Sequence, residues 1–307
     1  MFIKPRYEST ELQLLRYLSK RMNLTDKEKQ YYVNLKKGYE GELSFDMLLE
    51  NLSDEWLILS DLLLEVNNTM FQIDSLLVSR HSIFLFEVKN YEGDYYIDAD
   101  KWYSVASGNE IKDPLLQLKR SEFLLRRLLQ DLNFNFSIEA YLIFISPKFT
   151  LYQAPRNLPI IFPTQLHYFM KNLNKKSSKL NEKHSGFAEL LVNKHLNDSS
   201  FTQVPNYDYE QLRKGVICKC CYSFLISREE NKLVCAKCLC KEDIESAILR
   251  NVEQLTLLFP DKKVTTNLVH EWCEAIVSKK RVWRILTKNF RKVGQGKFSY
   301  YVHLPKS

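Results

Sequence analysis

The sequence predicts a mixed α/β domain followed by two small C-terminal units, and three observations support this. In the first 200 residues, strand-like apolar runs lie between amphipathic segments, which indicates a sheet flanked by helices. Six of the seven cysteines lie between Cys218 and Cys240, and the surplus of positive charge lies after residue 277. The 307-residue chain is 45% hydrophobic and 26% charged, a globular composition that excludes a disordered or collagen-like chain.

Periodicity predicts the elements of the first domain. Helices are expected over residues 9–21, from Gly41 to Leu52, from Pro114 to Leu132 and over residues 186–196. The third begins with a proline, whose missing N–H costs nothing in a first helical turn. The predicted strands cover residues 56–59, 70–78, 82–89, 95–97 and 141–145.

Two of these strands carry a pattern of charged residues. If Arg80 and His81 form a two-residue turn between them, paired residue numbers sum to 161, so that Asp74 faces Glu87 and Gln72 faces Lys89. Because side chains alternate along a strand, these four residues are expected on one face of the sheet. The other face is then apolar and consists of Ile73, Leu77, Phe84, Phe86 and Val88.

The opposed carboxylates of Asp74 and Glu87 suggest a metal site. Like charges directly opposite each other destabilise a sheet unless a cation lies between them. Mg²⁺, or Mn²⁺ in its place, takes oxygen ligands, commonly one or two carboxylates with waters and phosphate oxygens. Lys89 would then hold an attacking water or stabilise charge on a phosphoryl transition state. The alternative is that these are solvated charges or a salt bridge at the strand ends.

Four ordered sequence blocks carry a resemblance to a known family. Residues 37–42 (KGYEGE), 72–74 (QID), 87–93 (EVKNYEG) and 114–117 (PLLQ) resemble the NERD, or nuclease-related, domain. This domain is a branch of the PD-(D/E)XK nuclease superfamily, and the resemblance covers about residues 38–147. It implies a restriction-endonuclease-like mixed sheet flanked by helices, and hydrolysis of nucleic acid.

The resemblance also implies roles for particular residues. It places the metal on Asp74 and Glu87, and it makes Lys89 the residue that assists the water. Glu42 matches an acidic residue that completes the metal site, although it is equally explained as a helix N-terminal charge. Gln72 and Gln117 match two further polar positions of the family, which lie near the site and are expected to contact the site or the substrate.

The cysteines form a second motif. Cys218 and Cys221 are followed, after thirteen intervening residues, by Cys235 and Cys238, which is the spacing of four thiolates around one Zn²⁺. The segment resembles a zinc ribbon, and a closed four-thiolate site is expected to be structural. Cys220 and Cys240 are alternative ligands of this zinc. The alternative to a zinc site is a group of reduced, unligated thiols.

The C-terminal segment predicts a nucleic-acid interface. Nine basic residues and no acidic one lie between residues 278 and 307, which leaves 35 basic against 37 acidic residues before them. A short helix over 265–273 and a second one capped by Ser278 match helix-turn-helix spacing, and the glycine-containing turn at 294–296 resembles the wing of a winged helix. A solvated helix or a protein-docking surface is the alternative. The candidate nucleic-acid contacts are five residues on the basic face of this second helix, Lys280, Arg281, Arg284, Lys288 and Arg291, together with Lys297.

These observations predict four segments. They are a nuclease-like domain (1–200, motif core 38–147), a linker (201–213), a zinc ribbon (214–240) and a helix-turn-helix or winged-helix-like module (241–307). The expected function is metal-dependent hydrolysis of nucleic acid, with duplex DNA as the partner. The alternatives are a DNA-binding protein that keeps the nuclease fold as a scaffold, and a protein-interaction adaptor. Because no signal peptide or apolar membrane span is evident, we expect a cytoplasmic protein without a membrane partner.

Overall fold

The computed structural model describes residues 1–176, 179–196, 203–224 and 226–303, with the exception of the Lys297 side chain. The predicted linker and the C-terminal end of the chain lie partly outside these residues. The elements up to residue 193, in chain order, are β1 (Phe2–Lys4), α1 (Thr10–Arg21), α2 (Asp26–Leu49), β2 (Leu57–Val66), β3 (Thr69–Val78), β4 (Ser82–Lys89), β5 (Gly93–Asp98), β6 (Lys101–Ser104), β7 (Glu110–Ile111), α3 (Pro114–Asp131), β8 (Ser137–Phe144), β9 (Phe149–Tyr152), β10 (Ile160–Ile161), α4 (Leu166–Lys175) and α5 (Glu182–Asn193).

The remaining elements are short. After residue 225 the chain contains β11 (Ile226–Glu229), β12 (Lys232–Cys235), β13 (Lys241–Asp243), α6 (Ile244–Leu258), α7 (Thr266–Trp272), α8 (Lys279–Asn289), β14 (Arg291–Val293) and β15 (Tyr300–Val302). No helix among the described residues is long and apolar enough to cross a membrane.

The chain forms two compact units. Unit 1 consists of Met1–Glu8 and Val33–Thr202, and unit 2 consists of Ser9–Tyr32 and Gln203–Ser307. Helix α1 therefore belongs to unit 2, although it lies far from the rest of that unit in the sequence. Domain boundaries drawn along the chain place it in the first domain instead. The physical reason is its apolar side: Leu18 and the following Leu24 are buried in the same core as residues of α6 and α7.

Unit 1 is built on a mixed sheet flanked by helices, as predicted. The strand order is β1-β2-β3-β4-β8-β10, in which β2, β3 and β4 are antiparallel neighbours and the outer pairings are parallel. Helices α3 and α5 pack on one side of this sheet, and α2 and α4 pack on the other. A second sheet of four short strands has the order β7-β6-β5-β9.

The predicted hairpin register is confirmed. The pairs run from Val78 with Ile83 to Ser75 with Phe86, so their numbers sum to 161. The Ser79 N–H donates to the Ser82 carbonyl at 3.0 Å, which closes the two-residue turn.

The predicted alternation of side chains is wrong N-terminal to Asp74. Leu76 and Val78 lie in the core beneath α3, but so do Phe71 and Ile73, so the buried positions change from even to odd numbers at Asp74. Ile73 therefore does not share a face with Leu77, which packs against α2 and α4. The cause lies on the neighbouring strand, where Asp61 has a φ of 54° and interrupts the regular ladder.

Helix α2 is longer than predicted and begins at Asp26, not at Gly41. The first four turns show no clear apolar periodicity in the sequence, because the buried residues of the helix all lie in its last part. These residues are Gly41, Phe45, Asp46 and Leu49. Periodicity of apolar residues detects a helix only where the helix packs on a core.

Unit 2 combines a three-stranded sheet and a strand pair with helices α1, α6, α7 and α8. The sheet order is β11-β12-β13, and β13 is followed directly by α6. The predicted caps are confirmed: Thr265 accepts from the Leu268 N–H, and Ser278 accepts from the Arg281 N–H. Strands β14 and β15 pair antiparallel around the glycine-containing turn. Arg291, predicted on the last helix, lies on β14 because α8 ends at Asn289.

Candidate metal and nucleic-acid sites

Strands β3 and β4 bring Asp74, Glu87 and Lys89 together. Asp74 Oδ2 accepts a hydrogen bond from the Val88 N–H at 2.8 Å. Lys89 Nζ donates to Glu87 Oε1 at 2.7 Å. Both carboxylates are buried, with Asp74 6% and Glu87 1% exposed. Two buried acids and one partly buried lysine thus meet at the point where the β3–β4 ladder ends.

Burial sets the protonation of these groups. Desolvation and the charge of Asp74 together raise the pKa of Glu87 to about 8. Desolvation also raises the pKa of Asp74, although Lys89 acts to lower it. For Lys89, burial alone would lower the pKa, but Glu87 and Asp74 reverse this and the pKa is raised. Lys89 therefore remains a cation and a hydrogen-bond donor, while the acids favour a further positive charge.

Helix α3 supplies a second polar contact to Lys89. Gln117 Oε1 accepts from Lys89 Nζ at 3.1 Å. Gln117 lies in the first turn of α3, whose N-terminus is fixed by Asp113: its carboxylate accepts from the Leu115 N–H at 2.8 Å. The structure therefore brings Gln117 to the site through Lys89.

Gln72 is placed differently. Its side chain is exposed, and its amide nitrogen donates to Asp61 Oδ1 at 2.8 Å. Because the alternation changes at Asp74, Gln72 lies on the side of the sheet opposite to Ile73 and to the core beneath α3. The structure does not bring Gln72 to Lys89, which contacts Glu87 and Gln117 instead.

Glu42 is held by an arginine that no motif indicates. Arg6 Nη1 donates to Glu42 Oε2 at 2.5 Å, and Arg6 Nε donates to Asp46 Oδ2 at 2.8 Å. The Arg6 side chain is 1% exposed. Burial and the charge of Asp74 raise the pKa of Glu42 to about 8, although Arg6 acts to lower it. The charge of Asp74 thus acts on both Glu42 and Glu87.

A close helix contact fixes the chain directly after Lys89. A Cβ atom placed on Gly41 would lie 2.4 Å from Asn90 Cβ, so only glycine allows α2 to pack this closely. The Asn90 amide also donates to the Lys37 carbonyl at 2.8 Å. The glycine and the asparagine of two separate sequence blocks therefore meet in the structure.

The acids fit a hard divalent cation without forming a complete cage. Among residues 1–176, 179–196, 203–224 and 226–303, the sets of three or more acidic, histidine or cysteine ligand atoms within 4.8 Å of one another consist of cysteines. Glu42, Asp74 and Glu87 do not converge to that spacing. Mg²⁺ needs only one or two carboxylates, because water and phosphate oxygens complete its coordination. The donor chemistry of Asp74 and Glu87 is sufficient for such a site.

In unit 2, the four predicted thiols converge. The Sγ atoms of Cys218, Cys221, Cys235 and Cys238 all lie within 4.8 Å of one another. Cys218 Sγ lies 3.6 Å from Cys238 Sγ, and Cys221 Sγ lies 3.5 Å from Cys235 Sγ. Four sulfurs bound to one Zn²⁺ at about 2.3 Å are separated by nearly these distances. The alternative ligands are also close, since Cys220, Cys240 and Cys218 form a second set.

The thiol pKa values also fit a metal. Burial opposes ionisation of Cys218, but the N–H groups of Cys221 and Cys220 donate to its sulfur and lower its pKa to about 6. The Cys240 N–H acts to lower the pKa of Cys238, yet the surrounding thiols raise it to about 12. Four neighbouring thiols cannot all ionise unless a cation compensates them, which a bound metal would do.

The basic residues of unit 2 differ in exposure. Lys280, Arg284 and Arg291 are exposed. Lys288 Nζ is paired with Glu245 Oε1 at 2.8 Å, and half-buried Arg281 donates to Asn231 Oδ1 at 3.2 Å. The side chain of Lys297 lies outside the described residues. The sequence prediction did not include three further exposed side chains on α8 and β14, although they follow the same helical and strand pattern: Lys279, Trp283 and Lys292.

Comparison with known protein families gives one match. A family model described as Nuclease-related domain (NERD) matches residues 37–145, and this segment contains Glu42, Asp74, Glu87 and Lys89. No curated protein matches the chain.

One solved structure shows a weak likeness. The crystal structure of protein VC1899 from Vibrio cholerae is 11% identical and covers 50% of this chain, with a TM-score of 0.25. The match spans 36% of that protein's own length. A likeness at this level carries no weight for fold or function.

Proposed function

We propose that the protein is a metal-dependent nuclease of the PD-(D/E)XK type that hydrolyses phosphodiester bonds in DNA. The observation that carries this proposal is the buried group of Asp74, Glu87 and Lys89 inside the segment that matches nuclease-related domains. Burial of two acids beside the charged ammonium group of Lys89 costs folding stability. Groups with strongly shifted pKa values of this kind are common at functional sites.

Asp74 and Glu87 would hold one Mg²⁺ or Mn²⁺ ion. When bound, the ion supplies Lewis-acid polarisation of the phosphate and lowers the pKa of a bound water. Each carboxylate has one oxygen in a hydrogen bond, to the Val88 N–H and to Lys89 Nζ respectively, which fixes its orientation. The other oxygen of each acid is the proposed metal ligand.

Lys89 would act as a donor and not as a general base. Its pKa is raised, so it stays protonated at neutral pH and cannot accept a proton from water. Glu87 and Gln117 hold its Nζ from two directions, at 2.7 and 3.1 Å. From this position the ammonium group can orient a water or stabilise the charge that develops on the phosphoryl oxygens.

Unit 2 would supply affinity for DNA. We propose that the four thiols 218, 221, 235 and 238 hold a structural Zn²⁺, and that α8 with β14 and β15 forms a winged-helix-like surface. A duplex carries one phosphate charge per roughly 1.7 Å of axis, so exposed Lys280, Arg284 and Arg291 would bind it through counterion release. Phosphate contacts of this kind give affinity without reading sequence.

The test is cleavage of supercoiled, linear and single-stranded DNA, and of RNA, with Mg²⁺, with Mn²⁺ or with chelator. The wild-type protein is expected to cleave DNA only with metal, and Asp74→Ala is expected to abolish cleavage. Lys101→Ala removes an exposed lysine of unit 1 that pairs with Glu110, and serves as the matched control that keeps activity.

A non-catalytic DNA-binding protein is the second candidate. The observation in its favour is that Glu42 is held by Arg6 and does not join the other acids in a three-carboxylate set. Binding of DNA without metal-dependent cleavage, unchanged by Asp74→Ala, would support this candidate against the nuclease.

A further inference from the structure

The β2–β3 ladder is interrupted next to the proposed metal ligand Asp74. Ser60 pairs with Ser75 and Leu62 pairs with Ile73, but Asp61 and Asp74 between them do not form a ladder pair. Asp61 adopts a φ of 54°, which is uncommon for a residue other than glycine. The backbone carbonyls at this interruption need other donors, because a buried unpaired carbonyl costs free energy.

Two N-terminal side chains supply these donors. Lys4 Nζ donates to the carbonyls of Ser60 and Asp61 at 2.8 and 2.7 Å. Arg6 Nη2 donates to the Asp74 carbonyl at 2.6 Å. Lys4 ends β1, which runs parallel to β2, and residues two apart in an extended segment point to the same side. The short segment from Lys4 to Arg6 therefore fills the interruption.

Arg6 is itself anchored on α2. Its Nε donates to Asp46 Oδ2 at 2.8 Å, and its Nη1 donates to Glu42 Oε2. Asp46 Oδ1 accepts from the Ser60 hydroxyl at 2.9 Å and is also 3.4 Å from the Ser75 hydroxyl. Asp46 is thus used on both oxygens, and the guanidinium is fixed in one orientation.

Arg6 contacts the backbone carbonyl of Asp74 and not the Asp74 carboxylate. The Asp74 carboxylate instead accepts from the Val88 N–H, so Asp74 is held at two points while its second oxygen can bind a metal. Glu42, by contrast, gives an oxygen to Arg6, and it does not form a set of ligand atoms within 4.8 Å of one another with Asp74 and Glu87. To share a metal with them Glu42 would have to move, and its contact with Arg6 opposes that movement.

We propose that Arg6 and Lys4 are positioning residues for the metal site, and that Glu42 is the counter-ion of Arg6 and not a metal ligand. This inference rests on the proposed function, in which Asp74 and Glu87 hold the metal. The N-terminal segment orients Asp74 by satisfying the main chain around it. Removal of a residue that orients a metal ligand typically weakens metal binding by about 10–100-fold.

The experiment measures Mn²⁺ binding to the full-length protein by titration calorimetry, together with the unfolding temperature in chelator. Arg6→Gln is expected to weaken Mn²⁺ binding by about 10–100-fold. Glu42→Gln is expected to keep nearly wild-type affinity, because the amide oxygen still accepts from Arg6. Asp74→Asn is the positive control for loss of binding. Arg156→Gln, the same substitution at an exposed arginine of unit 1, is the matched control.

Arg6→Lys separates charge from geometry. A lysine keeps the charge but lacks the fork that reaches Glu42, Asp46 and the Asp74 carbonyl at once, so Mn²⁺ binding is expected to stay weak in Arg6→Lys protein that is still folded. If Arg6→Gln does not fold, Arg6→Lys and Glu42→Gln still decide the question.

Two results would overturn the inference alone. They are wild-type Mn²⁺ affinity in folded Arg6→Gln or Arg6→Lys, and loss of binding in Glu42→Gln equal to that in Asp74→Asn. A wild-type protein that binds no Mn²⁺ and cleaves no DNA would overturn the proposed function as well, so the two failures are distinguishable.

Discussion

The contact between Gly41 and Asn90 predicts opposite effects for two similar substitutions in α2. An alanine Cβ at position 41 would lie 2.4 Å from Asn90 Cβ and 3.0 Å from Asn90 Cγ. Gly38, about one turn earlier in the same helix, has nothing within 4 Å of the corresponding position. Gly38→Ala is therefore the matched control, since both substitutions change helix propensity equally.

The expected magnitude follows from the overlap. Carbon atoms pack at about 3.5–4.0 Å, so Gly41→Ala must move Asn90 by more than about 1 Å. Overpacking of this kind costs about 1–3 kcal/mol, whereas a glycine-to-alanine change in a helix gains about 0.5–1 kcal/mol. Gly38→Ala should thus stabilise unit 1, and Gly41→Ala should be less stable than Gly38→Ala by about 1–3 kcal/mol.

The measurement must report on unit 1 alone, because unfolding of a protein with two units is not one transition. Hydrogen exchange of peptides from α2 and β4 gives local free energies of opening in each variant. Since Asn90 follows Lys89, we also expect Gly41→Ala to reduce metal-dependent cleavage. Equal protection of the two variants, with equal cleavage, would refute the role assigned to this close contact.

Three further predictions concern the proposed metals and DNA. Because the pKa of Glu87 is raised to about 8, Mg²⁺ must displace a proton at lower pH, so calorimetry should show proton release and affinity that weakens as pH falls below 8. Without metal the sign is opposite: stability contributed by protonated Glu87 is lost as pH rises through about 8, which hydrogen exchange of β4 peptides in chelator would detect. Duplex binding should weaken steeply between 50 and 200 mM salt, and Arg284→Ala should reduce the salt slope by about one, unlike Lys101→Ala. Elemental analysis should find one zinc per chain, lost in Cys235→Ser and kept in Cys240→Ser; less than half a zinc per wild-type chain would contradict the ribbon.

The sequence was sufficient for features governed by local patterns. The turn at Arg80 and His81 fixed the hairpin register, because a two-residue loop allows one pairing of the strands. Helix caps at Thr265 and Ser278 and the spacing of the cysteines were equally local, and the structure agrees with them.

Features that depend on distant partners could not be predicted. The change of side-chain alternation at Asp74 arises from the conformation of Asp61 on another strand, so the alternation rule placed Gln72 on the wrong side. Arg6 reaches Glu42 and Asp74 only because β1 pairs with β2, more than 50 residues away along the chain. No local pattern in the first six residues indicates either contact.

The central claim is that Asp74, Glu87 and Lys89 carry out metal-dependent hydrolysis of DNA. The most direct measurement is the rate of nicking of supercoiled plasmid by purified wild-type protein and Lys89→Ala, compared over a Mg²⁺ series and in chelator. The account predicts nicking by the wild type that rises with Mg²⁺ and stops in chelator, and none by Lys89→Ala. Equal nicking by the two proteins, or nicking that persists in chelator, would contradict it.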